Sequence, residues 1–379
     1  MTLKPLVLCI SMFCGSAWAA PANQVRTQVQ TQVPNQQQQA HPRHVDVVLA
    51  LDTSSSMDGL IDGARQKLWD VVTTLSKAQP QPILRVGIVS YGNTAYDASK
   101  GWVRPDIDLT TDLDSVYGKL FGLTTNGGEE YVARAVQTST DQMSWSKQQD
   151  TLRILFVAGN ESAEQDPSVK LETALADARS HGIFVNTIYC GAKSSPETVA
   201  WARTAALGKG KFAAIDQNRT VAIATPQDAE LQRLSAQLND TYVAYGAGGR
   251  ARAANQKAQD KNATALSQPA AAARAVGKAS SLYRSADWDI VDAKREGITV
   301  AAAEMPEDLR AMPAPQRDAV IEKKAKDRAA LQSRIQAVSK QREGYLSAER
   351  KKSVASGPAL DDALIGGLKS EAEQSGFKF

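Results

Sequence analysis

Cysteine and histidine are almost missing from this chain, with three of each in 379 residues. Cys9 and Cys14 fall inside an N-terminal stretch that reads as a cleavable leader, so Cys190 stands alone and no internal disulfide can hold the mature protein. Cys190 ends an apolar run, the setting of a buried, inert thiol. The scarcity of histidine bears on catalysis. His41 and His44 lie in or beside a polar tether and His181 in a helix–strand turn, so no base accompanies a serine nucleophile and hydrolysis by a triad is disfavoured. After the leader, no run reaches the ~18 apolar residues that a membrane-spanning helix needs. A net charge of +3 is too small to imply nucleic acid or an anionic membrane. No glycine-rich phosphate loop follows the first strand, which sets nucleotide binding aside.

What is present falls into blocks. Residues 1–19 have the form of a signal peptide: Lys4, the apolar stretch Leu6 to Phe13, then Ala17-Trp18-Ala19 as a small-x-small cleavage site. Neither Cys9 nor Cys14 follows the small residue of a lipid-attachment site, so the expectation is a soluble exported protein, periplasmic or secreted. Residues 20–43 are Gln-rich and nearly free of bulky apolar groups, a flexible tether. From His44 the texture alternates. Val45–Leu51, Ile83–Tyr91, Leu152–Ala158 and Ile183–Tyr189 are near-continuous apolar runs of strand length, with Trp102–Leu109 as an edge strand and Lys211–Ile215 as a last one. Between them Leu60, Ala64, Leu68, Val71 and Leu75 recur at helical spacing, and further helices are expected at Glu129–Met143, Val169–Ser180, Thr198–Leu207 and Ala229–Leu238. Strands apolar on both faces between amphipathic helices predict an α/β domain over residues 44–245, with a mostly parallel, doubly wound, Rossmann-like sheet flanked by helices. Residues 246–280, rich in Ala and Gly, read as a linker or weak helix, and 281–379 as an α-helical C-terminal region. There Leu331, Ile335, Val338 and Tyr345 mark a long helix, packed within the chain or coiled with a partner. Arg328 and Arg342 interrupt its thin seam, which favours packing within the chain.

The chemistry concentrates at Asp52-Thr53-Ser54-Ser55-Ser56, directly after the first apolar run. A carboxylate and two hydroxyls at alternate positions, at a strand's carboxyl end, group hard oxygens suited to Mg²⁺, Mn²⁺ or Ca²⁺. Ligands of open α/β sheets bind at those strand ends. One carboxylate and two neutral hydroxyls leave such an ion short of charge and of ligands, so an acidic group of a partner can fill the open position. The spacing equally allows Ser54 and Ser56 to cap the helix that starts near Asp58.

The run Val-Asp-Val-Val-Leu-Ala-Leu-Asp-Thr-Ser-Ser-Ser-Met resembles the opening of a von Willebrand factor type A domain with its metal-ion-dependent adhesion site. The likeness extends over roughly residues 44 to 216, through Arg85-Val-Gly-Ile-Val-Ser-Tyr, Leu152-Arg-Ile-Leu-Phe-Val-Ala-Gly-Asn-Glu and Gly182-Ile-Phe-Val-Asn-Thr-Ile-Tyr-Cys-Gly. The C-terminal third resembles the helical extension of exported bacterial members, notably in Leu238-Asn-Asp-Thr-Tyr and Trp288-Asp-Ile-Val-Asp-Ala. The resemblance implies a divalent-cation site and binding to a protein partner through an exposed carboxylate, with no catalysis. It also implies a Thr from a second loop, for which Thr125 is the first choice and Glu130 the second. An Asp is implied after the fourth strand, where this chain has Asn160-Glu161, and Asn160 or Glu161 then substitutes. A phosphoryl-transfer enzyme of the haloacid dehalogenase type also begins with an Asp after a strand, but needs a second acid two residues on, where Ser54 stands. The competing non-enzymatic reading is a scaffold whose helical C-terminal region binds the partner.

Overall fold

Six strands form one sheet in the order β3-β2-β1-β4-β5-β6. They are β1 (His44–Asp52), β2 (Ile83–Tyr91), β3 (Val103–Thr110), β4 (Leu152–Gly159), β5 (Ile183–Cys190) and β6 (Lys209–Ile215). The computed structural model describes residues 43–215, 223–352 and 360–379; the expected leader and nearly all of the tether lie outside them. All neighbours pair in parallel except β3, which runs antiparallel on the edge against β2. The α/β architecture and the edge strand are therefore as the apolar runs predict.

Helices α1 (Asp58–Leu75), α2 (Leu113–Gly122), α3 (Val132–Gln142), α4 (Leu171–Ser180) and α5 (Glu197–Leu207) connect the strands. Side-chain alternation along β1 divides the core. Val45, Val47, Leu49 and Leu51 face the layer containing α1 and α2, whereas Val48 and Ala50 face that of α3, α4 and α5. Two buried faces explain why β1 carries almost no polar residues. Asp46 is the exception inside the strand, and it is paired: Arg85 reaches its two oxygens at 2.9 and 2.5 Å, and the Ser146 N–H donates at 2.7 Å.

The chain then builds α6 (Asp228–Asn239), α7 (Gly246–Leu266), α8 (Gln268–Lys278), α9 (Ile290–Arg295), α10 (Glu307–Arg310), α11 (Ala314–Lys352) and α12 (Leu360–Gln374). The Ala- and Gly-rich stretch after residue 246 is thus two helices. Small side chains let α8 lie close on α1, and its Arg274 is buried between Asp114 (2.7 Å) and Asp260 (2.6 Å), over the ring of Trp69. Arg274 and Lys278 together hold the Asp260 carboxyl down to about 2, overriding the burial that works to raise it.

The long helix packs within the chain. Ile335 and Val338 of α11 join Leu231, Leu234 and Leu238 of α6, Ala272 and Ala275 of α8 and Ala279 just after it in one cluster. The two arginines in its seam are buried cations with partners: Arg328 with Asp289 and Asp292, Arg342 with Asp228. Finally α12 returns to the sheet. Leu364 and Leu368 join the α1 face, Asn186 of β5 donates to Glu371 at 3.0 Å, and Gln79 and Lys378 exchange two backbone hydrogen bonds.

Candidate metal centre

The strand order changes direction at β1, whose neighbours β2 and β4 lead to opposite edges, and the crevice at such a point is where open α/β sheets bind ligands. Asp52 is the last residue of β1 and pairs in register with Tyr91. The chain turns sharply there. Asp52 Oδ1 accepts the Ser54 N–H at 2.7 Å, the Thr53 N–H and hydroxyl both donate to the Tyr91 carbonyl, and the Met57 N–H donates to the Ser54 carbonyl. The turn leaves Ser54 Oγ 3.2 Å from Ser56 Oγ. Helix α1 begins with Met57 as its N-cap and has no side-chain cap. The capping alternative for the two serines is thereby overturned, because the turn holds both hydroxyls to one another instead.

Two loops close over this turn. The first runs from Leu123 to Tyr131 and is fastened to the turn by Asn126 N–H to Thr53 O (3.0 Å) and Gly127 N–H to Ser55 Oγ (2.7 Å). Its path depends on Gly128, at φ 149°, where an added Cβ would stand 1.6 Å from the Gly92 carbonyl oxygen. Gly92, at φ 76°, ends β2 in the same way: a Cβ there would fall 2.8 Å from Asp52 Oδ1 and 2.9 Å from Glu130 Cγ. These close approaches bring Glu130 against Asp52. Gly128 also delays the helix, so α3 starts at Val132 and not at Glu129 as its periodicity suggests, leaving Glu130 in the loop.

The second loop follows β4. Asn160 Nδ2 donates to Ser56 Oγ at 3.1 Å, and the Trp201 indole N–H fixes the backbone at Glu161 O, 2.7 Å away. Five of the six residues singled out in the sequence therefore come together: Asp52, Ser54, Ser56, Glu130 and Asn160. Thr125 does not join them, since its hydroxyl donates to Asp58 Oδ1 at 2.5 Å. Of the two candidates in the first loop, the structure brings the second choice to the cluster. Gly92, Asn93 and Gln165 escaped sequence reasoning, although Asn93 and Gln165 hold the first loop through the Thr124 and Glu130 carbonyls. The Gly-Asn pair directly after the β2 run was the available signal.

The electrostatics are those of crowded, dehydrated carboxylates. Asp52 is 0% and Glu130 6% exposed. Burial is the largest influence raising both carboxyls above their usual range, and for Glu130 the Asp52 charge adds to it. Burial, then the Asp52 and Glu130 charges, pushes the neighbouring Tyr91 hydroxyl up as well. Burial and Asp52 do the same to the inert Cys190 thiol. Three oxygens, Asp52 Oδ2, Glu130 Oε2 and Asn160 Oδ1, are buried without a hydrogen-bond partner. Buried acceptors are normally satisfied, so this donor set fits a hard cation. Among the described residues no three His, Cys, Asp or Glu side chains gather as a metal cluster, and the set is instead two carboxylates with neutral oxygens. His181 lies at the end of α4 against Asp177, exposed and away from this crevice.

Comparisons with known proteins find partial likenesses and one family match. Among solved structures, a zinc-occupied-MIDAS form of proximal thread matrix protein 1 from the mussel byssus is 14% identical, with a TM-score of 0.35 over 46% of this chain and 42% of that one. The VWA domain of SpRpn10 is 11% identical, with a TM-score of 0.35 over 46% of this chain and 88% of that one. The pilus adhesin SpaC from Lactobacillus rhamnosus GG, in its open conformation, is 13% identical, with a TM-score of 0.35 over 46% of this chain and 28% of that one. This chain thus spans less than half of the mussel protein's length. A search of curated proteins finds no match. The model of the von Willebrand factor type A domain matches residues 46–239, more than half of the chain, from β1 to the last residue of α6. The chain belongs to the von Willebrand factor type A domain family.

Proposed function

We propose that this protein is a divalent-cation-dependent protein-binding module and not an enzyme. Asp52, Ser54, Ser56, Glu130 and Asn160 would hold Mg²⁺, Mn²⁺ or Ca²⁺, and an oxygen of a protein partner would complete the shell. The observation that carries this reading is the presence of three buried, unpartnered oxygens, on Asp52, Glu130 and Asn160, around one turn. Leaving such groups dry and unpaired costs about 1–3 kcal/mol each, a cost that a cation removes. When bound, the ion supplies Lewis acidity toward one incoming oxygen, which joins two proteins without covalent chemistry.

The residues divide the work. Asp52 and Glu130 supply charge, Ser54 and Ser56 supply neutral oxygens already aligned by the turn, and Asn160 carries the β4 loop onto Ser56. A partner carboxylate suits an ion that retains net positive charge, so the number of charged ligands from this chain decides the partner's chemistry. No helix among the described residues is long and apolar enough to cross a membrane, and the N-terminal leader would direct the protein out of the cytoplasm.

Calorimetric titration of Mg²⁺ and Mn²⁺ into the wild type and Asp52→Ala tests the metal. Saturable heat in the wild type and none in the variant is the expected result, and two flat traces would sink the reading. The Thr125→Ala variant should titrate like the wild type, because its hydroxyl is engaged by Asp58.

A further inference from the structure

The loop that joins β2 to β3 ends on a strained residue. Trp102 sits at φ 51°, directly after Gly101 at φ 68°, and left-handed backbone disfavours a side chain as large as an indole. Glycine would relax the turn, so local conformation does not account for a tryptophan there. Its backbone is tied to the crevice wall. The Trp102 carbonyl accepts the Gly92 N–H at 3.1 Å, and Gly92 is the residue whose added Cβ would crowd Asp52 and Glu130. The indole meets Tyr131, the residue after Glu130, edge to face, with 5.5 Å between centroids and 64° between planes. Two half-buried rings thus form a corner on the loops that carry the proposed metal carboxylates. Exposed Glu129 adds charge, its Oε2 lying 3.5 Å from the Tyr131 hydroxyl. The corner has no cation of its own. Tyr96, in the same loop as Trp102, has Arg104 over its ring at 4.0 Å. Among the described residues no Lys or Arg stacks on Trp102 or Tyr131, and Glu129 has no ion pair. Arg134, which lies against Gly101, is committed to Asp166 at 3.2 Å.

We infer that the corner of Trp102, Tyr131 and Glu129 receives a basic side chain of the protein partner, close to the residue that ligates the ion. This rests on the protein-binding reading above and adds a second contact to it. Aromatic faces attract a cation through their quadrupole, indole most strongly, and the Glu129 carboxylate complements the charge. Tryptophan and tyrosine are also the residues that dominate binding energy where proteins meet. Strain of the Trp102 kind persists only where the surrounding structure holds it, and functional sites are where it collects. The partner would therefore present an oxygen to the ion and an arginine or lysine to the rings.

The test uses the full chain loaded with Mn²⁺ and reads water-proton relaxation, which reports water on the ion and its displacement. The probes are blocked peptides that join an Asp, as metal ligand, to an Arg across alanine spacers of increasing length. Each has a twin with citrulline, which keeps the shape of Arg and loses its charge. At the best spacing the Arg peptide should displace water at about tenfold lower concentration than its twin. The indole N–H resonance of Trp102, identified by its loss in Trp102→Phe, should shift with the Arg peptide and not with the twin. Trp102→Phe, which keeps a ring against Tyr131, and Glu129→Gln should each cut the advantage to about threefold or less. Glu129→Gln, at an exposed position, stands in if the Phe variant does not fold. Equal displacement by both peptides at every spacing, or an advantage that survives both variants, overturns the inference while the metal reading stands. A wild type whose relaxation does not respond to Mn²⁺ overturns the metal reading instead, and the Trp102 resonance then decides the inference by its shift or silence with the same peptides.

Discussion

Replacing Arg328 with Met should unfold a large part of this protein's stability margin. The guanidinium lies between α11, α9 and the turn after α6. It donates to Thr241 Oγ1 (3.0 Å), Thr241 O (2.8 Å) and both oxygens of Asp289 (2.5 and 3.2 Å), and it pairs with Asp292 at 2.9 Å. It also stacks 4.1 Å from the centre of the Tyr242 ring. Methionine fills much of the volume and satisfies none of this. Asp289 would keep the N–H groups of Val243 and Asp292, but two buried carboxylates would lose their shared cation. Removing one partner of a buried pair costs about 3–5 kcal/mol, and the lost stacking adds about 0.5–1 kcal/mol. A loss of about 4 kcal/mol is a large fraction of the ~5–15 kcal/mol by which domains are stable. The penalty should depend on pH. Burial already raises the Asp289 carboxyl, and Arg328 is the first influence lowering it; without the arginine it rises further. A group raised in the folded state stabilises below its unfolded value and loses that contribution as pH rises through the folded value. The deficit of the variant should thus be smallest near pH 4, at about the unfolded carboxylate value, and larger at pH 7.5. Urea unfolding followed by circular dichroism at both pH values measures it, and Asp289→Asn in the Met background should restore part of the loss at pH 7.5. A penalty below about 1 kcal/mol, or one that does not change with pH, would refute the reasoning.

Two further outcomes are expected. Burial pushes the Glu371 carboxyl up to about 7, against the lowering influence of the Asn186 hydrogen bond and Lys211. Its contribution to stability is present below the unfolded value and lost as pH climbs toward 7, so Glu371→Gln should stabilise the protein at pH 8 by roughly 2–3 kcal/mol and change little at pH 4; equal shifts at both would contradict this. Gly128→Ala should displace the loop that carries Glu130, because the new Cβ would collide with the Gly92 carbonyl at a φ that non-glycine residues avoid. Calorimetry should then show metal binding weakened at least tenfold, and wild-type affinity would mean the loop does not place Glu130.

The sheet was legible because its strands bury both faces, and a run such as Val45–Leu51 has few alternatives to a central strand. Asp52, Ser54 and Ser56 were legible because alternate residues at a strand end share one side. Thr125 ranked above Glu130 in the sequence, yet Glu130 is the one that lies against Asp52, because the outcome depends on the backbone at Gly128, which helical periodicity does not register. Helix α2 went unremarked. The return of α12 to the sheet was also hidden, because Leu364, Leu368 and Ala372 make too short a stripe to name the surface they cover. Arg328 and Arg342 looked like flaws in a coiled-coil seam; the acids that satisfy them lie in other elements, beyond the reach of local pattern.

The placement of α12 has a kinetic consequence. Asn186 and its partner Glu371 are 185 residues apart in sequence, and Gln79 bridges to Lys378 across an even longer stretch. Until that helix is synthesised, the apolar sheet surface formed by Leu49, Phe156 and Ile188 has α1 against it but lacks the wall that Leu364 supplies. Long loops are slow to close, so the domain that bears the cation site must wait for the end of the helical region. A nascent chain that has completed all six strands is still a sticky intermediate, and ribosome pausing before residue 360 should prolong its exposure.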